Sequence, residues 1–198
     1  MSENALLLLA QAKMLKAADQ PRNFKTAFDY FQGHNLDPLI CADFAGMGAV
    51  GPIVDCGNGR FDFCEDHQDA FMAFVCEAID ADGESVIDLV AWPVDRPAHV
   101  LTMFGRCGLL GLWEAVSAAG TVFNSPLPVH RTPLDWLKAE CRGAAVVIPR
   151  LAGPLLLDIS AGIAACDLRH GRELKTMLDA ATPRTRIVVP DRIERRAA

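Results

Sequence analysis

The chain has 198 residues, 51% apolar and 22% charged, with a formal net charge of −6. Those values suit one domain with a buried core and exclude a disordered polymer, and the acidic balance argues against a general nucleic-acid coat. The run "LLLL" (Leu6 to Leu9) is too short to span a bilayer, and Glu3 stands where an export signal carries positive charge, so no membrane segment or secretion signal is expected.

Two helices are expected at the start. "ALLLLAQAKMLKAA" follows Ser2, a suitable N-cap, and lacks Gly, Pro and β-branched residues. Leu7, Ala10, Met14 and Ala17 share one side while Leu8 and Leu9 point elsewhere, so this helix needs cover on more than one side, from the sheet domain or from a second subunit. "PRNFKTAFDYFQG" has Pro21 in its first turn and Gly33 past its end. Phe24, Ala27, Phe28 and Phe31 fall at i, i+3, i+4 and i+7, and this face is expected to pack against the first helix as an antiparallel pair.

"GMGAVG" (Gly46 to Gly51) spells the G-x-G-x-x-G of a dinucleotide loop. "PLICADFA" could supply the preceding strand. The loop also needs a helix opening within it, and here Pro52 follows directly, then the breaker Gly57-Asn58-Gly59, so it reads as a connection.

From residue 39 to about 104 the character is strand. "GPIVDC" and "RFDFC" flank the turn "GNG", and "AFMAFVCEAID" and "SVIDLVAWPV" flank "ADGE", predicting a second hairpin that turns at Asp82-Gly83. The alternative, a helix over 66–80, fits Phe71, Phe74 and Val75 as well. "HVLTMF" is a further strand candidate.

In the last third, "GLWEAVSAA" reads as a short helix ended by Gly120. "HRTPLDWLKAECRG" reads as a helix with Thr132 as N-cap, Pro133 at N1, Asp135 at N3 and Gly143 just past its end. "AAVVIP" and "PLLLDIS" suit buried strands. "DLRHGRELKTMLDAA" is an amphipathic helix with Gly171, Leu174, Met177, Leu178 and Ala181 on its core stripe. "RTRIVVP" suits a closing strand.

The seven cysteines are odd in number and scattered, several within apolar runs, which points to free thiols in a reducing cytoplasm. Cys56, Cys64 and His67 come nearest to a metal set, but they supply one ligand pair where a structural zinc site wants two; Cys166 and His170 lie far off with another spacing. No metal and no cofactor is expected. Asp88 in "VIDLVAW" and Asp158 in "LLLDIS" interrupt apolar runs, so each must be paired, exposed on an edge or protonated. "VHRTPLDW" gathers His130, Arg131, Asp135 and Trp136 at a helix start, a surface suited either to a small anion or partner or to capping and core packing.

The segments "DLVAWPVDRP", "CGLLG" and "HRTPLDWLKAECRGAAVVI" resemble a family of uncharacterised proteobacterial proteins, some of prophage or mobile-element character, over roughly residues 60–150. The resemblance implies an accessory protein and carries over no activity and no functional residue.

The expected fold is α+β: a mainly antiparallel sheet packed by C-terminal helices, with an N-terminal helical pair at residues 1–33, the main domain over 34–190 and a charged tail at 191–198. The expected function is that of a cytoplasmic accessory or binding protein acting through a protein partner or a homodimer. One rival is a small enzyme using Asp88, His130 and Arg131. Another, disfavoured by the net charge, is nucleic-acid association through Arg184, Arg186, Arg192, Arg195 and Arg196, a run that Asp191 and Glu194 interrupt.

Overall fold

A computed structural model describes residues 3–37, 48–64, 66–120, 125–159 and 162–182. "PLICADFA", Gly46 and Met47 of the glycine pattern, "RTRIVVP" and the C-terminal arginines lie outside those residues. The described residues form six helices and nine strands in two sheets, an α+β fold.

The first half is a barrel. Strands β1 (Ala49–Gly57), β2 (Arg60–Phe63), β3 (Phe71–Ile79), β4 (Val86–Pro93) and β5 (Leu101–Thr102) close in the order β1-β2-β5-β4-β3. Every pairing is antiparallel except β2 with β5, and closure leaves no free edge. The β1–β2 turn is the tight one its sequence promises: Gly57 pairs with Arg60, and the two residues between, Asn58 and Gly59, take φ of +54° and +71°. The β3–β4 hairpin forms too, with no helix through Phe71 to Ala78. Its connection is a longer loop closed by the Asp80 amide donating to the Ser85 carbonyl, and the Asp82 carboxylate ties it by accepting from the Glu84 and Ser85 amides.

Both faces of β3 and β4 are buried. Ala73, Val75, Leu89 and Ala91 gather with Ile53 and with Ala10 and Met14 of helix α1 (Glu3–Ala18). Phe74, Cys76, Val90 and Trp92 pack with Tyr30 of helix α2 (Pro21–His34) and with the second sheet. The two N-terminal helices therefore pack on the barrel rather than chiefly on each other. This corrects half of the expected phenylalanine stripe: Asn23 and Tyr30 are the buried residues of α2, Ala27 and Phe31 pack half-buried against the core, and Phe24 and Phe28 face outward. Periodicity located a stripe but could not say which side of the helix meets the core.

The second half interleaves strands β6 (Leu109–Leu110), β7 (Leu127–His130), β8 (Ala144–Val146) and β9 (Ile163–Ala165) with helices α3 (Leu112–Gly120), α4 (Pro133–Lys138), α5 (Pro149–Leu157) and α6 (Leu168–Ala181). The order is β6-β8-β7-β9, with β7 parallel to both β8 and β9 and only β6 antiparallel. The expected single, mainly antiparallel sheet is thus an antiparallel-rich barrel joined to a largely parallel sheet.

Two local expectations change. "PLLLDIS" is helical through Leu157, with Asp158 exposed at the C-cap. Pro149 opens α5, and its buried residues Ala152, Gly153 and Leu156 recur at helical spacing; Gly153 lets α6 approach, because a Cβ there would lie 2.5 Å from that of Ala181. Helix α4 ends at Lys138, earlier than the glycine signal suggested, since Glu140 and Cys141 both turn left-handed with φ of +56° and +59°. The core stripe of α6 matches expectation, with Leu174 buried, Gly171, Met177, Leu178 and Ala181 half-buried, and Arg172, Lys175, Thr176 and Asp179 exposed.

Candidate functional site

Asp88 is fully buried on β4. Its Oδ1 accepts the amides of Leu89 (2.9 Å) and Phe104 (2.8 Å), and its Oδ2 those of Arg106 (2.7 Å) and Cys107 (3.2 Å). The carboxylate thus anchors the loop that leads from the barrel to the second sheet. Four backbone donors satisfy the charge that the apolar run made conspicuous.

His130 ends β7, and its Nε2–H donates to the carbonyl of Arg142 (2.8 Å). Arg131 reaches Asp167 at 3.1 Å and Glu173 at 3.5 Å. Asp88 is absent from the crevice that Arg131 lines, so the three candidate residues do not converge. The helix start in "VHRTPLDW" is taken up by capping and packing: the Thr132 hydroxyl accepts the Asp135 amide and donates to its carboxylate, and the buried Trp136 donates to the Gly143 carbonyl.

The crevice beside Arg131 has a volume of about 420 Å³ and lies where the parallel strands end. Arg131 follows β7, Val146 ends β8, His170, Glu173 and Met177 come from α6, and His99, on the way to β5, also lines it. On β8, Ala144 belongs to the core under α5 and α6, whereas Ala145 belongs to the core under α4 and the barrel. Successive helices therefore cover opposite faces, and connections leave β7 and β8 in opposite directions. In parallel sheets that arrangement opens a crevice at the strands' carboxyl ends.

His170 is the buried wall of this crevice, 4% exposed. Burial, and then the nearby Arg131 guanidinium, lower its pKa, so the imidazole is neutral near pH 7. Its Nδ1 lies 3.1 Å from the Cys166 sulfur and accepts the Cys166 amide at 3.4 Å. The helix start explains the contact: Asp167 is the N-cap of α6 and accepts the His170 amide, which places residue 170 beside the residue that precedes the cap. That amide, followed by Arg131, lowers the pKa of Asp167. The spacing C-x-x-x-H was visible in the sequence as a poor metal pair; only the helix boundary turns it into a thiol–imidazole contact.

Other sequence candidates stay apart. The Cys56 sulfur donates to the Val54 carbonyl at 3.8 Å, and His67 Nδ1 accepts the Asp69 amide at 3.2 Å. Among the described residues no group of three His, Cys, Asp or Glu side chains is placed to hold a metal ion, and no helix is long and apolar enough to cross a membrane. In the glycine pattern, Gly51 lies within β1, and Pro52 continues the strand where a phosphate cradle needs a helix. A Cβ at Gly51 would fall 2.9 Å from that of Ala17, so this glycine admits α1 against the barrel.

A different kind of site covers the outer sides of α1 and α2. Leu8 is 66% exposed, Leu9 51%, Phe24 69% and Phe28 47%, with Leu6 and Leu15 also open. Comparison with protein-family models, with curated proteins and with solved structures returned no match.

Proposed function

We propose that this chain is a non-catalytic cytoplasmic accessory protein that acts as a homodimer through the outer faces of α1 and α2. The observation that carries this reading is the set of six open leucine and phenylalanine side chains on two adjoining helices. Each large apolar side chain removed from water contributes about 1.5–3 kcal/mol. A second copy is the occupant that best fits the chemistry. The outward side of α1 offers Leu8, Ala12 and Leu15 with little charge, so two copies meet there without the repulsion expected between chains of net charge −6. Free thiols exposed at Cys56 and Cys166 suit a reducing compartment.

The enzyme reading built on Asp88, His130 and Arg131 is weaker, because the Asp88 carboxylate is occupied by four backbone amides and His130 by a carbonyl. Light scattering coupled to gel filtration of the full chain at micromolar concentration tests the proposal. The expected mass is twice 21.4 kDa; a monomeric mass throughout the concentration range contradicts it.

A further inference from the structure

We propose that Cys166 and His170 form a peroxide-reactive thiol site, in which the imidazole takes the thiol proton as the sulfur attacks a hydroperoxide. Three features of the fold support it. The sulfur lies 3.1 Å from Nδ1, on an exposed residue, so a small oxidant reaches it without a channel. Nδ1 is the acceptor nitrogen of the ring, since the Cys166 amide also points at it, and the imidazole is therefore in the form that accepts a proton. Burial of the ring between α6 and the crevice keeps it in that form near neutral pH.

The five remaining described thiols lack this arrangement. Cys64 is half-buried, and no histidine is among the residues that line the crevice beside it. Cys76, Cys107 and Cys141 are buried, and burial raises the pKa of Cys76 and Cys107. Cys56 is exposed, but its sulfur contacts a carbonyl oxygen, which takes no proton.

The chemistry balances with the hydroperoxide as the only co-reactant. The thiol proton moves to Nδ1, and the sulfur electron pair forms a bond to the outer peroxide oxygen. The O–O bond breaks, and its electron pair leaves on the inner oxygen, which recovers the proton from the imidazolium. The products are a cysteine sulfenic acid and an alcohol, or water when the oxidant is hydrogen peroxide. Sulfur is oxidised by two electrons and the peroxide reduced by two.

The test is hydrogen peroxide treatment of the full chain, with sulfenic acid trapped by dimedone and each cysteine quantified by peptide mass spectrometry. Cys56 serves as the internal control. Cys166 is expected to label at least about 10-fold faster than Cys56, and His170→Asn to slow Cys166 by about 10-fold or more without altering Cys56, because general-base assistance is worth about 10²–10⁴-fold. Equal rates at the two cysteines, or an unchanged Cys166 rate in a folded His170→Asn variant, overturn the proposal. Should that variant fail to fold, the unaltered protein decides the matter through the pH dependence of the Cys166-to-Cys56 rate ratio. The charged and titratable groups around His170 are Cys166, Asp167, Glu173, Arg131 and His130, and His99 lines the same crevice. A ratio that falls as His170 gains its proton agrees with the site; a ratio constant with pH overturns it.

Discussion

The indole Nε1–H of Trp92 donates to the hydroxyl of Tyr30 at 2.8 Å inside the core between α2 and the barrel. Phe74 stacks on Tyr30 and tilts against Trp92, with ring centroids 5.8 and 4.8 Å away. This polar pair fixes α2 on β4. Tyr30→Phe keeps the ring and removes the acceptor, leaving a buried donor unmade at a cost of about 1–3 kcal/mol. Urea denaturation followed by tryptophan fluorescence should show the unfolding free energy fall by that amount.

Asp88→Ala should be far more damaging. It strands the amides of Leu89, Phe104, Arg106 and Cys107 and frees the loop that positions β6 against β8. The expected loss is at least about 3 kcal/mol, the scale for breaking a buried charged network. A variant that unfolds at the same urea concentration as the parent would show that the loop is held by other means.

Gly143 and Gly57 make a paired test of backbone against packing. Both have φ near +80°, but a Cβ at Gly143 would lie 2.3 Å from the Pro128 carbonyl oxygen, whereas nothing lies within 4 Å at Gly57. Gly57→Ala should cost about 1–2 kcal/mol, the left-handed penalty alone. Gly143→Ala should cost clearly more, because β7 and β8 must separate to admit the methyl group. Thermal melts of the two variants measure the difference.

Two groups give stability opposite pH slopes. His170 has a lowered pKa in the fold, with burial the main cause. The unfolded chain therefore takes up its proton first as pH falls: the histidine's contribution is complete above about 6.5 and is lost as pH drops through the folded value. Burial raises the pKa of Glu114, although the Gly143 amide donates to it at 2.6 Å. Its contribution is complete below the ordinary carboxylate range and is lost as pH rises through the folded value. Urea midpoints measured across pH should lose the first slope in His170→Asn and the second in Glu114→Gln. An unchanged slope in either variant contradicts the corresponding assignment.

The legible parts of the sequence were those where local chemistry decides the outcome. Asn58-Gly59 demanded a left-handed turn, Thr132 and Asp135 wrote a helix start, and the α6 stripe has one wet and one dry side. What stayed hidden depends on partners far along the chain. The barrel was obscured because β3 and β4 are buried on both faces, which erases the period of two, and because β5 is two residues long. Three of the four donors to Asp88 lie 16 to 19 residues downstream. Of the candidate site, Arg131 was visible and does line a crevice, but its carboxylate partners come from α6. The Cys166–His170 contact depended on where one helix begins.

The central claim, self-association through the outer faces of α1 and α2, is tested most directly by charging those faces without touching the core. Deleting the helices would be uninformative, since Met14 and Tyr30 complete the barrel's packing. Leu8→Lys combined with Phe28→Lys alters only exposed positions and should leave the circular-dichroism melt of the folded monomer intact. Light scattering during gel filtration should give a dimer for the parent and a monomer for the double variant at the same micromolar concentration. A double variant that folds and remains dimeric, or a parent that is monomeric from the outset, would contradict the account.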